Sequence, residues 1–332
     1  MFFVNFLYSQ LLVQLPVPTS SFTYQTIIVT GSNTGLGFEA ARYFLKLNAS
    51  LVILAVRNET KGKKAAEELL ASTGRNADSV QVWNCDLSSY DSLIAFGKRV
   101  QTLKRLDAVV LNAGILTTKF ERLPSGDESI VGVNVVSNVL LGLLVLPKLR
   151  ESAAATGLRG RLTFVGSDMI FMTKFKEQYA TQHEKLFDVL NDAKVTDMGD
   201  RYGVSKVLLL FAVQHLASQS PVSNKSNVVI NIQTPGACKS DIFRDDYSAV
   251  QRIAMSVMIG IVARTGEQGA RTIVQAVLPE IGEETHGQFL MDCKITPPGS
   301  YFGSEQGRKM ARKTVDELYT KIEAVAPGAT KV

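Results

Sequence analysis

Short apolar segments alternate with longer amphipathic segments along most of the chain. The apolar segments are rich in β-branched residues and lack polar alternation, which is typical of strands covered by helices on both faces. The predicted strands cover 26–30, 51–56, 80–85, 107–112, 161–166, 227–232 and 287–292. The predicted helices cover 36–47, 59–72, 90–103, 134–149 and 202–219. This alternation predicts an α/β fold built on a doubly wound parallel sheet.

We expect one Rossmann-type domain with a short extension at each end. The N-terminal extension covers 1–21, the nucleotide-binding domain covers 22–300, and a helical tail covers 301–332. Within the domain, 168–200 and 237–265 are insertions beyond strand ends, where ligands of such sheets bind. Their aromatic and aliphatic residues form either the walls of a substrate pocket or ordinary packing.

The N-terminal stretch MFFVNFLYSQLLVQLPVP is apolar, but it has no Lys or Arg, so it lacks the basic start of a signal peptide. Polar residues interrupt it and Pro16 and Pro18 end it, which makes it short for a transmembrane helix. We expect a helix packed on the domain, with an anchor at a membrane surface as the alternative. Cytoplasmic location is the default expectation.

Composition excludes several classes of protein. The chain has 332 residues, of which 45% are hydrophobic and 20% charged, as in a globular protein. The net charge of +5 is spread out, which argues against a nucleic-acid partner. The three cysteines lie far apart without a CxxC pair, and no histidine stands in a metal-ligand motif, so we expect neither disulfides nor a metal.

The stretch TGSNTGLG (30–37) follows the first predicted strand and opens the first helix. Gly31 permits a tight turn, Gly35 lets the backbone approach a pyrophosphate, and Gly37 permits close packing of helix and strand. The amides at the start of the helix can then bind the anion. The position between strand and helix predicts a dinucleotide site.

Two residues at later strand ends bear on which dinucleotide binds. An acidic residue usually follows the second strand of an NAD site, but this chain has Arg57 there, and a guanidinium can hold a 2′-phosphate. We therefore predict NADP(H), although Arg57 could simply open an exposed helix. Asp86, after the third strand, could accept a hydrogen bond from the adenine amino group or act as the N-cap of the next helix.

Tyr202 and Lys206, in RYGVSK, are four residues apart and so share one face of a helix. A nearby ammonium lowers the pKa of a phenol, which would make this pair a tuned acid and base. The same spacing also arises by chance on a solvated helix face. Further strand-end motifs are LNAG (111–114), Ser167 in FVGSD, and the Pro235–Gly236 turn, near which Cys238 is expected to be a buried thiol.

Taken in order, TGxxxGxG, LNAG, a strand-end serine, YxxxK and a strand-end PG resemble the short-chain dehydrogenase/reductase family over roughly residues 24–295. The pattern is most similar to the retinol-dehydrogenase-like branch, and closest to fungal members in secondary-metabolite pathways. The resemblance implies that Tyr202 is the catalytic acid/base, and that Lys206 lowers its pKa and holds the nicotinamide ribose. It also implies that Ser167 binds the substrate oxygen and that Asn134 anchors a relay water.

The expected cofactor contacts combine the glycine turn with the later strand ends, and Ser240 stands where the family usually has threonine. They are Gly31, Asn33, Thr34, Gly35, Leu36, Gly37, Arg57, Asp86, Asn112, Ala113, Gly114, Tyr202, Lys206, Pro235, Gly236 and Ser240.

The resemblance implies an NADP(H)-dependent oxidoreductase that acts on a ketone or secondary alcohol, and the apolar insertions suggest a bulky apolar substrate. The alternatives are a non-catalytic NADP-binding scaffold or regulator, and an isomerase or lyase on the same fold. Family members commonly form homodimers or tetramers through helices that here would include 135–149 and 202–219. The apolar character of VLLGLLVLPKL (139–149) fits such an interface and core packing equally well.

Overall fold

A single eight-stranded sheet forms the centre of the molecule. The computed structural model describes residues 2–180, 185–223, 226–239, 260 and 262–331. The strands are β1 Thr26–Thr30, β2 Leu51–Val56, β3 Val80–Asn84, β4 Ala108–Leu111, β5 Gly160–Val165, β6 Val228–Thr234, β7 Phe289–Met291 and β8 Lys294–Ile295. Their order is β3-β2-β1-β4-β5-β6-β7-β8, with every neighbouring pair parallel except β7 and β8. The seven predicted strands are confirmed, with ends shifted by a few residues at most.

Helices cover the sheet. The described helices are α1 Phe2–Leu12, α2 Gly35–Lys46, α3 Glu59–Thr73, α4 Tyr90–Gln101, α5 Ser129–Val131, α6 Asn138–Thr156, α7 Glu177–Ala180, α8 Leu186–Leu190, α9 Arg201–Gln219, α10 Gly266–Gln275, α11 Ser300–Gly303 and α12 Glu305–Val325. Adjacent strand residues point to opposite faces. Ile28 accordingly joins the core formed with α4, α6 and α9, whereas Ile27 joins the core formed with α2, α3 and α10. The doubly wound architecture is therefore confirmed.

The long apolar helix begins earlier than its sequence pattern predicts. Its first turn is α5, because the Glu128 carboxylate accepts hydrogen bonds from the amides of Ile130 and Val131. A π-helical turn, Gly132–Ser137, then leads into α6. The combined stretch Ser129–Thr156 is long and apolar enough to cross a membrane, but 94% of its most apolar window is buried inside the protein. It is therefore a core helix of this fold.

The C-terminal helix α12 packs along α9. Leu318 and Ile322 of α12 are fully buried, and His215 of α9 makes an edge contact with the ring of Tyr319, at 5.0 Å between centroids. The apolar face of α9 is thus covered within the chain itself. Packing within the chain accounts for this contact, and the oligomeric state stays a prediction.

The structure describes most of the first insertion and only a small part of the second. In the first, Phe175 and Phe187 are buried in the main core, so these two rings serve packing, whereas Tyr179 is exposed. Most of the second insertion, including Ser240, lies outside the described residues.

The N-terminal helix α1 packs on the domain through one face. Ser9 and Gln10 are buried, whereas Phe3, Val4 and Tyr8 are exposed. Ser9 Oγ donates a hydrogen bond to Asp292 Oδ1 at 2.9 Å, so the contact of α1 with the domain includes a hydrogen bond.

Candidate active site

The glycine-rich turn has the geometry of an anion cradle. Gly31 and Gly35 adopt the left-handed conformation, with φ of 64° and 60°. A side chain at Gly37 would place its Cβ 2.6 Å from Asn112 Nδ2 and 2.7 Å from the Gly31 carbonyl oxygen, so only glycine fits. Thr34 precedes α2 without a capping side-chain hydrogen bond, and the first turn of α2 has no acidic residue. The amides of that turn therefore remain available to an anion.

The LNAG segment is fixed beside this turn. Thr30 Oγ1 accepts hydrogen bonds from the amides of Asn112 and Ala113, each at 2.9 Å. Asn112 Nδ2 donates to the Thr30 carbonyl oxygen at 2.8 Å. A Cβ at Gly114 would lie 3.0 Å from Asn134 Oδ1, so the backbone here runs close to the catalytic side. These contacts join the ends of β1 and β4 into one small-residue surface.

Arg57 follows β2, next to β1 in the sheet, and its side chain is exposed. Its carbonyl oxygen accepts a hydrogen bond from Asn84 Nδ2 at 3.2 Å, which fixes the backbone. Within the described parts of the chain, no carboxylate forms an ion pair with its guanidinium. Helix α3 is capped by Asn58, which accepts from the Lys61 amide. Arg57 is therefore not needed to start the helix and can reach a ligand.

Asp86 lies after β3 and is half-buried. Its Oδ1 accepts hydrogen bonds from the amide and hydroxyl of Ser88, at 2.9 and 2.7 Å. Ser89, not Asp86, is the N-cap of α4 and accepts from the Ser92 amide. The N-cap alternative for Asp86 is therefore wrong, because the chain makes one further turn before the helix begins.

Asn134 lies within the π-helical turn and is fully buried. Its amide binds both backbone groups of Ile115, since Oδ1 accepts from the amide at 2.8 Å and Nδ2 donates to the carbonyl at 2.9 Å. Nδ2 also lies 3.2 Å from Ser205 Oγ on α9. Asn134 thus ties the loop after β4 to the helix that carries Tyr202, and its role toward a relay water stays a prediction.

Ser167, Tyr202 and Lys206 come together at the carboxyl end of β5. Lys206 Nζ donates to the Val165 carbonyl oxygen at 2.8 Å and lies 5.4 Å from the centroid of the Tyr202 ring. The Ser167 hydroxyl lies close enough to the Tyr202 phenol to lower the pKa of that phenol. Ser167 and Lys206 are 7% and 5% exposed, and Tyr202 between them is half-buried. The chance-spacing alternative for Tyr202 and Lys206 does not describe this buried arrangement.

The pKa values within this group differ from the sequence expectation. Burial raises the pKa of Tyr202, the nearby Asp168 carboxylate raises it further, and only the hydrogen bond with Ser167 lowers it. Burial lowers the pKa of Lys206 to about 8. The sequence analysis expected Lys206 to lower the phenol pKa, but among the described residues desolvation outweighs the lowering contribution, and the effect of a bound cofactor stays a prediction. A raised pKa keeps Tyr202 protonated, as a proton donor requires.

Two charged residues next to the site, Asp168 and Arg201, were not identified from the sequence. Asp168 is buried, burial raises its pKa, and its Oδ2 has no hydrogen-bond partner among the described residues. Arg201, directly before Tyr202, is fully buried and lies 3.1 Å from Glu177 Oε1 and 3.6 Å from Glu128 Oε2. A charged residue beside a motif is common on exposed helices, so the sequence carries no signal for this burial.

The Pro235–Gly236 turn closes the site at the end of β6. Gly236 has a φ of 73°, and Arg264 Nη1 donates to the Pro235 carbonyl oxygen at 3.2 Å. Cys238 is buried and burial raises the pKa of its thiol to about 12, as expected for a structural rather than a nucleophilic cysteine. Among the residues that the structure describes, no cluster of His, Cys, Asp or Glu could hold a metal ion.

Comparison with known proteins finds the same fold and relatives that match most of the chain. The short chain dehydrogenase family matches residues 25–179. The "Short chain dehydrogenase/reductase dmxR8" of Cryptosporiopsis sp. is 39% identical over 98% of this chain and 99% of its own length. Among solved structures, an uncharacterised protein from Mycobacterium paratuberculosis has a TM-score of 0.64 at 21% identity, over 93% of this chain and 97% of its own. A putative short chain dehydrogenase from Shigella flexneri, complexed with NADP, has a TM-score of 0.58 at 21% identity, over 83% of this chain and 100% of its own.

The two solved structures are too distant in sequence to indicate more than the fold. The fungal relative matches nearly the whole chain at an identity that indicates common descent, and it spans every motif of the site. Taken with the glycine turn and the buried Ser167–Tyr202–Lys206 group, these findings establish that the chain belongs to the short-chain dehydrogenase/reductase family.

Proposed function

We propose that this protein transfers a hydride between NADP(H) and a ketone or secondary alcohol. The observation that carries the proposal is the meeting of Ser167, Tyr202 and Lys206 in a shielded position at the end of β5. That position lies on the same edge of the sheet as the glycine turn after β1. Ligands of open parallel sheets bind at this edge.

The residues present fit a dinucleotide. The left-handed glycines and uncapped amides of α2 suit a pyrophosphate, and the small residues of LNAG leave room for a flat ligand. Arg57, exposed and without a carboxylate partner among the described residues, suits a 2′-phosphate better than the free hydroxyl of NAD(H). Asp86 is placed after β3, where it could meet the adenine ring. These features support NADP(H) as the cofactor.

In the reductive direction the bound cofactor supplies the hydride. Tyr202, held protonated by burial, donates its proton to the developing alkoxide, and the Ser167 hydroxyl stabilises the same oxygen. Lys206, with a pKa of about 8, remains mostly charged at pH 7 and offsets the phenolate that forms. In oxidation the same groups run in reverse, and Tyr202 must first lose its own proton so that its phenolate can take the proton of the alcohol.

The proposed substrate is a bulky apolar compound. Aromatic residues of the first insertion that are not used in the core, such as Tyr179 at 66% exposure, support a bulky apolar substrate. The similarity to a fungal dehydrogenase over nearly the whole chain supports a place in secondary metabolism. We propose a cytoplasmic location, with peripheral membrane contact through α1 as the alternative.

Replacement of Tyr202 by phenylalanine tests this function. We expect Tyr202→Phe to lose at least about 100-fold in turnover with an NADPH-coupled panel of apolar ketones, because general acid catalysis contributes that much. NADPH affinity should stay within about twofold, since the ring itself is kept. Turnover close to that of the unaltered protein would remove Tyr202 from the mechanism. Loss of NADPH binding would indicate a structural role.

A further inference from the structure

The N-terminal helix carries a buried side chain, Gln10, whose carboxamide is unpaired among the described residues and lies at the edge of the candidate active site. Gln10 is 8% exposed, yet neither its Nε2 nor its Oε1 has a hydrogen-bond partner among the described residues. Buried polar groups are normally paired, since leaving one unpaired costs about 1–3 kcal/mol. Two unpaired atoms on one buried carboxamide indicate that a partner outside the described residues satisfies them.

An ionic contact fixes this part of α1 to the sheet. Arg264 Nη2 donates to the Ser9 carbonyl oxygen at 2.7 Å and to Asp292 Oδ1 at 2.6 Å. Ser9 Oγ donates to the same Asp292 oxygen at 2.9 Å. Arg264 is 5% exposed, so these bonds are shielded from water. They hold α1 at the ends of β6 and β7 with Gln10 in a defined place.

Gln10 lies against the Pro235–Gly236 turn. A Cβ at Gly236 would collide with Gln10 Nε2 and would lie 3.0 Å from Arg264 Nη1, so the glycine makes room for both side chains. The turn follows β6, which neighbours β5, where Lys206 is bound to Val165. A dinucleotide whose phosphates occupy the turn after β1 must bring its reactive ring to the catalytic side chains after β5. Gln10 is therefore at the nicotinamide end of the site.

We propose that the Gln10 carboxamide binds the carboxamide of the nicotinamide ring, which makes the N-terminal helix part of the cofactor site. This inference rests on the proposed function. A planar amide that lacks both a donor and an acceptor partner is complementary to another planar amide, because the two can exchange a pair of hydrogen bonds. Arg264 and Ser9 are positioning residues in this arrangement.

The test compares NADPH with 2′-phospho-ADP-ribose, which keeps the nucleotide and phosphates but lacks nicotinamide. Affinities for both are measured by isothermal titration for the unaltered protein, for Gln10→Leu and for a matched control, Gln14→Leu, whose side chain is exposed. Gln10→Leu should weaken NADPH binding about tenfold and leave 2′-phospho-ADP-ribose within about twofold. Gln14→Leu should change neither. The melting temperature of Gln10→Leu should not fall, because the substitution removes two unpaired buried polar atoms.

Two results would overturn the inference. Unchanged NADPH affinity in Gln10→Leu would show that the carboxamide does not meet the nicotinamide. Equal weakening of both ligands, or a lower melting temperature, would show that Gln10 acts through the fold. If the unaltered protein binds neither ligand, the proposed function itself fails, and that outcome is distinct from both.

Discussion

Arg201 gives the most quantitative test of how the site is built. This fully buried guanidinium precedes Tyr202 and lies between two buried carboxylates, 3.1 Å from Glu177 and 3.6 Å from Glu128. It also donates to the Leu190 carbonyl oxygen at 3.2 Å and to Thr196 Oγ1 at 2.8 Å. Arg201→Met keeps much of the side-chain volume and removes the charge. Both carboxylates would then remain buried without their cation.

Breaking a buried ion pair from one side costs about 3–5 kcal/mol, because the remaining charge keeps its desolvation penalty. Neither Arg201 Nε nor Nη1 makes an aligned hydrogen bond, so the two contacts are electrostatic and the lower part of that range applies. Glu128 keeps its bonds to the amides of Ile130 and Val131, which limits the loss further. We therefore expect a loss of about 3 kcal/mol in the free energy of unfolding, or a melting temperature roughly 4 °C lower.

The loss should depend on pH. Burial raises the pKa of Glu177 and of Glu128 even beside Arg201, and removing the cation raises them further. A carboxyl group with a raised folded-state pKa stays protonated at low pH, so the variant is penalised less at pH 5 than at pH 8. Stability of the variant relative to the unaltered protein should thus fall as pH rises.

Urea denaturation at pH 5 and pH 8 measures both effects. The control is Lys176→Met, which breaks an exposed ion pair with Asp197 and should cost less than about 1 kcal/mol. Turnover of Arg201→Met should fall as well, because the first turn of α9 positions Tyr202. A loss below about 1 kcal/mol at both pH values would refute the argument that this charge cluster holds the site.

Three further predictions concern the cofactor site. Arg57→Asp should weaken NADPH binding roughly 10- to 100-fold while NADH binding changes less, as fluorescence titration will show; an unaltered preference would exclude Arg57 as the phosphate contact. Gly37→Ala should abolish dinucleotide binding and lower the melting temperature, since its Cβ would lie 2.6 Å from Asn112 Nδ2; normal binding would contradict this close packing. Lys206→Met should raise the free energy of unfolding at pH 7, where the buried ammonium with a pKa of about 8 is charged. Denaturation curves should show this gain shrinking between pH 8 and 10, as the lysine loses its proton in the folded protein. A gain that grows with pH would contradict the lowered pKa of Lys206.

The strand pattern and the motif positions could be read from the sequence because each rests on local chemistry. Continuous β-branched segments predict strands that helices cover on both faces. Gly37 can be predicted as well, because a Cβ there would collide with Asn112 and the position therefore requires glycine. The early start of the long helix was missed, because the Glu128 cap precedes the apolar pattern. Whether Asp86 is the N-cap of α4 could not be decided from the sequence, because the structure was needed to show that Ser89 caps this helix.

Electrostatics and long-range packing could not be predicted in the same way. The pKa of Tyr202 depends on desolvation and on the nearby Asp168, and neither is visible in the YxxxK spacing. Gln10 meets Gly236 across more than 200 residues of sequence, and no local pattern indicates such a contact. Such long-range contacts can be identified only once the order of the strands in the sheet is known.

The most direct test of the central claim is a pair of fluorescence titrations of the unaltered protein, one with NADPH and one with NADH. We expect saturable binding of NADPH and at least tenfold weaker binding of NADH, because Arg57 replaces the carboxylate of an NAD site. Equal or tighter binding of NADH would contradict the assignment of NADP(H). Absence of binding to either cofactor would contradict the proposal that the glycine turn and the Ser167–Tyr202–Lys206 group form one working site.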